Sequence, residues 1–351
     1  MHRLDDRAFV ERLDPSGMYR LTVAFPQQCR LALDVATAIK LENLSSSPNA
    51  VVLAGLGGSA AGGDLTRALF EAEGTVPFFV NRDYAMPGFV GESTLVFAVS
   101  YSGNTEETLA AYADAKSRGT KIIAVTTGGA LAELASKDGF PVVEIPGGQP
   151  PRTALGLLFV PVVSACERLG LLPKHDFGSA FALLDECVQE WGVEEEGNQA
   201  KQLAADLHGA LAVIYGLGPW QAAVANRWKG QINENAKNMA FANAFPELCH
   251  NEILGWVKAG EQGVEKWVQV LLQDGDESQK MSVRASVTAK LTRAVCEHRT
   301  VTARGKSLLA RMMSLTLFGD FVSIYLAALN GVDPENIDSI NVLKKELSNV
   351  P

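Results

Sequence analysis

Val51-Val52-Leu53-Ala54-Gly55-Leu56-Gly57-Gly58-Ser59-Ala60-Ala61-Gly62-Gly63-Asp64-Leu65 is the stretch from which the fold is read. Its first four residues are a short apolar run closed by glycine, the pattern of a strand buried on both faces. The glycines allow a sharp turn, and the residues up to Glu73 read as a helix. A second unit of the same kind starts at Leu211, with Leu-Ala-Val-Ile-Tyr-Gly-Leu-Gly ending at Gly218, again ahead of a helix. Two strand–GLG–helix units in one chain point to a duplicated domain.

Working outward from the first unit, a β run spans 76–80 and another apolar run 94–99. A helix is expected from about 105 to 117, a strand over 121–125, a helix near 131–135 and a strand over 140–145. Strands alternating with helices specify a parallel sheet with helices on both faces, the doubly wound flavodoxin/Rossmann-like α/β arrangement. The expected division is an N-terminal helical segment over 1–45, a first α/β domain over 46–152, a helical connector over 153–200 and a second domain over 201–351 ending in a helix. Asp14-Pro15-Ser16-Gly17 and Ser45-Ser46-Ser47-Pro48 punctuate the N-terminal segment. The acidic run Glu194-Glu195-Glu196-Gly197 closes the connector and reads as a solvated linker.

Whole-chain properties narrow the function classes. The chain has 351 residues, 47% apolar and 20% charged, enough for two ordinary cores. A net charge of −9 is a poor match to nucleic acid or an anionic membrane, so neither is an expected partner. Cys29, Cys166, Cys187, Cys249 and Cys296 are odd in number and irregularly spaced, which fits reduced thiols in the cytoplasm. The charged N-terminus has no apolar run of leader length. The greasy segment 312–329 contains Gly319 and Asp320 and reads as a buried helix of the second domain.

The glycine-rich turn at Gly55 to Ser59 brings backbone N–H groups to one point, and the following helix adds its positive end. Alone, the segment is open to three readings. It can hold a sugar phosphate. Gly55, Gly57 and Ala60 also satisfy GxGxxA, with Asp83 as a ribose partner, so it can hold a dinucleotide. The glycines can also serve strand–helix packing only. Ser100-Tyr101-Ser102-Gly103-Asn104-Thr105-Glu106-Glu107-Thr108 favours the first. Ser100, Ser102 and Thr105 are three short hydroxyl donors around a glycine, at the end of one strand and the start of a helix. Strand-end loops of a doubly wound sheet converge on one crevice. Neither loop carries a lysine and no Walker pattern occurs, which argues against phosphoryl transfer. Gly57, Gly58, Ser59, Ser100, Ser102 and Thr105 are therefore the expected phosphate ligands.

These two loops together resemble the SIS, or sugar isomerase, family of phosphosugar-binding domains. Pro150-Pro151-Arg152-Thr153, the run Asn233 to Trp256 (NENAKNMAFANAFPELCHNEILGW) and Leu343-Lys344-Lys345 extend the likeness. In these the chain is similar to the bifunctional phosphoglucose/phosphomannose isomerases, from about residue 40 to 347. The resemblance implies two tandem SIS-type αβα sandwich domains and metal-independent interconversion of glucose 6-phosphate, and with it mannose 6-phosphate, with fructose 6-phosphate.

That reaction moves a proton between C1 and C2 through a cis-enediol(ate). It requires one base for both carbons, a group to open the ring and positive charge near the enediolate. By the resemblance, Glu234 of the ENAK motif is the base. His250 is the ring-opening group, reaching the site of a neighbouring subunit and so implying a homodimer. Neutral imidazole suits that task near pH 7. Arg152 stabilises the enediolate from a backbone stiffened by two prolines. Lys344 assists ring opening or holds substrate oxygens, with Lys345 beside it as an alternative. Glu247 and Glu252 flank His250 as structural residues. Cys249 stands where relatives usually carry asparagine. Asp333-Pro334-Glu335-Asn336-Ile337 holds no threonine where relatives often have one, so the glucose activity is implied more directly than the mannose activity.

No metal or other cofactor is expected: HExxH is absent, the histidines are far apart and no cysteine pair has ligand spacing. Two other readings compete. A non-catalytic sugar-phosphate sensor would carry an N-terminal DNA-binding segment with basic residues, for which the first 45 residues are too few and carry no basic excess. A dinucleotide-dependent oxidoreductase rests on the GxGxxA coincidence alone.

Overall fold

The computed structural model describes residues 2–41, 47–347 and 349. Ser45 and Ser46, and with them the expected 45/46 boundary, lie outside the described residues. The chain opens with helices α1 (Arg7–Arg12), α2 (Met18–Val23) and α3 (Phe25–Ala38). Then come β1 (Ala50–Ala54), α4 (Gly57–Glu73), β2 (Phe78–Asn81), β3 (Thr94–Val99) and α5 (Glu106–Ser117). These are followed by β4 (Lys121–Thr126), α6 (Gly129–Lys137), β5 (Val142–Glu144) and α7 (Leu155–Arg168). Helices α8 (Phe177–Trp191) and α9 (Gln199–Leu207) lead to β6 (Leu211–Gly216), α10 (Pro219–Ala236), β7 (Ala240–Ala244) and α11 (Glu252–Gly255). The chain ends through β8 (Trp267–Gln273), α12 (Gln279–Thr292), β9 (Glu297–Thr302), α13 (Leu308–Asn330) and α14 (Asp338–Leu347).

The strands form two sheets, β2-β1-β3-β4-β5 and β7-β6-β8-β9, and every pairing is parallel. This is the α/β arrangement expected from the alternating pattern. The central strands β1 and β3 are buried along their whole length, as their unbroken apolar runs require. Two compact units result. One contains the first sheet, over Ala24–Asp185 with Arg304–Ser314; the other contains the second sheet, over Glu186–Ala303 with the residues up to Val23 and from Leu315 onward.

In the first unit, Ala111, Tyr112 and Ala115 of α5 and Leu131 and Ala135 of α6 pack on Val52, Val96 and Ile122 of the sheet. His175 is nearly buried, its Nδ1 2.6 Å from a Glu167 oxygen and its Nε2 2.9 Å from one of Glu73. Burial by itself would lower the imidazole pKa, but hydrogen bonds and charge from Glu167 and Glu73 outweigh it and the net shift is upward.

In the second unit, α13 is long and apolar enough to cross a membrane by composition, yet 94% of its most apolar window is buried inside the protein. It is a core helix, in line with the sequence reading. Asp320 on α13 accepts from Gln231 Nε2 at 2.9 Å and from Arg227 Nη2 at 3.2 Å, both on α10. Burial pushes the Asp320 carboxyl up, and Arg227 and Gln231 pull it back only in part. The N-terminal residues are anchored to this unit by a fully buried lysine. Lys201 Nζ donates to Asp5 Oδ1 at 2.7 Å and to the carbonyls of Val193 and Glu195 at 2.8 Å. The Glu194–Glu196 carboxylates are exposed, as a solvated run should be.

Strands β7, β8 and β9 went unanticipated in the sequence. The edge strand β9 reads Glu-His-Arg-Thr-Val-Thr and is only part-buried, so it lacks the apolar run that marks β1 or β3.

Candidate functional site

In the first unit, three strand-to-helix turns gather at the carboxyl ends of β1, β3 and β4. Leu56 before α4 and Thr105 before α5 give their helices no side-chain cap, whereas at α6, preceded by Gly128, the Asn104 side chain accepts from Ala130 N. An uncapped N-terminus leaves several N–H donors and the positive end of a helix dipole for an external anion. Gly57 opens α4 with φ +52°, and a Cβ on Gly58 would lie 2.6 Å from the Pro151 carbonyl. Only glycine at 58 lets the Pro151–Thr153 turn close on α4. This puts Arg152 beside the Gly57–Ser59 loop with just 6% of its surface exposed. Read as a lone arginine after two prolines it would lie on the surface, so its burial is a tertiary effect. Gly58 serves packing against the Pro151–Thr153 turn, and Leu56 gives α4 no side-chain cap.

Ser59 and Ser100 are buried, while Ser102 is exposed at the rim. Ser100 Oγ and Thr105 Oγ1 share a hydrogen bond of 2.9 Å, and Asn104 N donates to Ser102 Oγ at 3.3 Å. The two hydroxyl loops are joined by a third that the sequence reading did not include, Thr126-Thr127-Gly128-Gly129. Gly103 has φ +70°, and a Cβ there would sit 1.8 Å from Gly128 O, so the loops touch backbone to backbone. Thr127 Oγ1 donates to Tyr101 O at 2.8 Å, and Asn104 Oδ1 accepts from Ala130 N at 3.0 Å. Gln149 was missed as well. Its backbone N donates to Tyr101 Oη at 3.2 Å, and its Nε2 is buried with no acceptor among the described residues. A buried donor without a partner is costly unless a ligand or water meets it. Nothing local in the sequence marks Gln149, because its burial depends on the fold.

The other expected residues lie in the second unit. Glu234 sits, half-buried, in the last turn of α10. Its neighbours fix that turn. Asn235 Nδ2 donates to Ser323 Oγ of α13 at 2.9 Å, Asn233 Oδ1 accepts from Ala240 N at 2.8 Å, and Trp228 Nε1 donates to Leu315 O at 2.9 Å. His250 ends the 3-10 turn Glu247–His250 and is exposed; among the described residues it makes no hydrogen bond or ion pair. Lys344 and Lys345 are both exposed in the last turn of α14.

The flanking acids have separate duties. Glu247 Oε1 accepts from Asn251 Nδ2 at 2.8 Å. Glu252 accepts from Tyr215 Oη and from Asn243 Nδ2, and Trp256 Nε1 donates to Tyr215 Oη at 2.9 Å. Burial, and then the Glu252 carboxylate, push the Tyr215 phenol well above its ordinary value, so it stays a donor. Tyr215 ends β6 and Asn243 lies in β7, so this network holds the Glu252 end of the turn bearing His250. Cys249 packs against the apolar cluster of Val213, Phe245 and Trp256. Among the described residues no three His, Cys, Asp or Glu side chains gather to hold a metal ion.

Comparison with known proteins agrees with this architecture. The family described as "SIS domain" matches residues 44–138, and that described as "Bacterial phospho-glucose isomerase C-terminal SIS domain" matches residues 196–347. The chain is 40% identical over 338 residues to a bifunctional phosphoglucose/phosphomannose isomerase of Caldicellulosiruptor bescii, covering 95% of this chain and 99% of that one. It is 38% identical over 299 residues to the protein of the same name from Thermoplasma acidophilum, covering 85% and 89%. The fold is shared with tagatose-6-phosphate ketose/aldose isomerase from Escherichia coli, with a TM-score of 0.69 at 13% identity over 92% and 96% of the two chains. With two SIS domains and this likeness along nearly all its length, the chain belongs to the bifunctional phosphoglucose/phosphomannose isomerase family.

Proposed function

We propose that the protein is an aldose–ketose isomerase that interconverts glucose 6-phosphate, and mannose 6-phosphate, with fructose 6-phosphate. The near-full-length likeness to named isomerases carries this reading. It favours an enzyme over a non-catalytic sensor and leaves the dinucleotide reading without support.

The chemistry assigns each residue a step. The uncapped amides at Gly57 and Gly58 and the hydroxyls of Ser59, Ser100, Ser102 and Thr105 hold the phosphate, as amides and short donors at helix N-termini do. His250 shuttles the proton between ring oxygen and C1 hydroxyl as the ring opens. The Glu234 carboxylate removes the proton from C2, leaving a cis-enediolate, and returns it to C1 while the O2 proton passes to O1, which gives the ketose. One base serving both carbons conserves the proton count and needs no metal. The Arg152 guanidinium offsets the enediolate charge, where a preorganised cation acts most strongly. Lys344 holds substrate oxygens or assists ring opening.

His250 works from a neighbouring subunit in this proposal, so the functional form is a homodimer. Large exposed apolar side chains of the second unit support an interface there: Leu254 and Val257 just after His250, and Val342 and Leu343 on α14, are 59–75% exposed. The functional division follows 46–152 for phosphate and 201–351 for proton transfer, with 1–45 and 153–200 as helical support. A cytoplasmic location suits the reduced thiols and the phosphorylated substrate.

The test is a coupled assay of purified protein with each aldose phosphate in the presence of EDTA. Turnover of glucose 6-phosphate that survives EDTA is expected. Saturable fructose 6-phosphate binding with no isomerisation would overturn the proposal.

A further inference from the structure

The chain has a single non-glycine residue with positive φ among the described residues, Lys237, at +50°. It is the C-cap of α10, in the left-handed conformation that glycine or asparagine usually supplies. A side chain there costs the fold something, because its Cβ crowds the backbone. Capping alone does not explain a lysine. The Lys237 backbone N–H already closes the helix by donating to Ile232 O, and Asn330 Nδ2 takes the Ala236 carbonyl at 2.9 Å. Glycine would serve the cap equally well.

The ammonium reaches further. Lys237 Nζ donates to Glu234 O at 2.8 Å and lies 3.5 Å from Asn235 O, the carbonyls of the last helical turn. It also donates to Asp333 O at 2.7 Å and Pro334 O at 3.2 Å. Asp333 and Pro334 begin the connection from α13 to α14. Glu335 N turns back onto Asp333 Oδ1 at 2.9 Å, and Asn336 Oδ1 accepts from Asp338 N at 3.0 Å to start α14. One cation therefore bridges the turn that carries Glu234 and the loop from which the Lys344 helix springs. The other ties on α10, through Asp320 and Ser323, run to α13 and would hold the helix without reaching this loop.

We infer that Lys237 is a positioning residue for the isomerisation, coupling Glu234 to the 333–337 loop and the C-terminal helix. The inference rests on the reading of Glu234 as base. Lys237 Nζ is held by the backbone carbonyls of both segments, which is the contact of a positioning residue. Its loss should loosen the base against the reacting carbons and leave phosphate binding alone. Misplacing a reacting group by about an ångström costs on the order of 100-fold in rate, which bounds the effect from above.

Three variants test it: Lys237→Gly, Lys237→Arg and Glu234→Gln, each measured for kcat, KM and thermal midpoint. Glycine accepts the +50° backbone, so Lys237→Gly keeps the cap and deletes only the ammonium bridge. We expect kcat to fall about 10- to 100-fold, KM to change less than about twofold and the midpoint to hold. Lys237→Arg, which keeps a donor to the same carbonyls, should recover most of the lost kcat. A wild-type kcat in Lys237→Gly overturns the inference while an inactive Glu234→Gln leaves the base assignment standing. An active Glu234→Gln overturns the base assignment itself. A lower kcat in Lys237→Gly that comes with a lower midpoint, with kcat and midpoint recovering together in Lys237→Arg, would mean a purely structural role and also overturns it.

Discussion

The two SIS domains open alike and finish differently. In the first, Gly57-Gly58-Ser59 begins α4, the loop after β3 is rich in hydroxyls, and neither α4 nor α5 has a side-chain cap from the residue before it. In the second, Gly216-Leu217-Gly218 is followed by Pro219 at the first helical position, which removes a donor. The loop after β8 is Asp274-Gly275-Asp276-Glu277-Ser278, where the first domain has its hydroxyls. The Glu277 carboxylate accepts from Asp274 N at 2.6 Å and Gly275 N at 3.0 Å, and Ser278 caps α12 by accepting from Met281 N. Amides that the first domain leaves for an anion are met in the second by the protein's own carboxylate. Duplication produced two strand-end crevices. One keeps the donors of the proposed phosphate cup, while the other meets the matching amides with Glu277 and carries candidate proton-transfer groups at the end of α10 and after β7.

The sharpest way to break this contrast is Glu234→Gln. We expect kcat to drop about 1000-fold, within the range for a lost general base, with fructose 6-phosphate binding retained by calorimetry. A variant keeping more than about a tenth of the rate would move the base elsewhere, since even a weak general base is worth about 100-fold. Next in size is Asp320→Ala, which removes the buried carboxylate that Arg227 and Gln231 donate to in the packing between α10 and α13 of the second domain. A stability loss of about 3–5 kcal/mol by denaturant unfolding is expected. A loss below about 1 kcal/mol would show that the polar seam is replaceable and does not set the α10 orientation, because removing one partner of a buried charge pair costs more than that.

Matched serines probe the cups themselves. Ser102→Ala removes a donor from the first cup and should raise KM about tenfold or more, at about 1.5–3 kcal/mol for a hydrogen bond to a charged group, with kcat nearly unchanged. Ser278→Ala in the second should leave KM alone and lose about 1 kcal/mol of stability as a missing N-cap. The reverse pattern would place the phosphate in the wrong domain. The smallest effect concerns His175 of the first domain. Its pKa is raised in the folded state, so the stabilisation is fully present below the ordinary value near 6.5 and is lost as pH rises through the shifted value. The wild-type thermal midpoint should therefore decline with rising pH relative to His175→Gln, by about 1 kcal/mol or less in equivalent stability. Parallel pH curves for the two proteins would show that the Glu73 and Glu167 contacts do not charge the ring.

How far the sequence reaches differs by element. The buried strands β1, β3, β4 and β6 announce themselves as apolar runs because both faces are covered, and no alternation is needed to read them. Strand β9 does not, because an edge strand bearing Glu297, His298 and Arg299 has the composition of a surface loop. Ser100, Ser102 and Thr105 were legible as a candidate phosphate loop, since they are three short donors around Gly103. The Thr126–Gly129 loop was not, because its membership depends on Gly103 touching Gly128 across two adjacent strands. Glu252 was legible only as a structural residue near His250; its partners Tyr215 and Asn243 come from two different strands.

From its order of residues alone, this chain determined two parallel α/β domains, and it supplied a hydroxyl-and-glycine candidate for the phosphate cup and, through resemblance, candidate acid–base residues. These follow from local rules: periodicity selects strand or helix, and short donors next to glycine suit an anion. Only the tertiary structure decided that Arg152 is buried against Gly58, that Gln149 holds a buried donor with no partner among the described residues and that Lys237 joins the Glu234 turn to Asp333 and Pro334. Each of those joins residues from different parts of the chain, and side-chain partners of that kind are set by packing, to which local sequence pattern is blind.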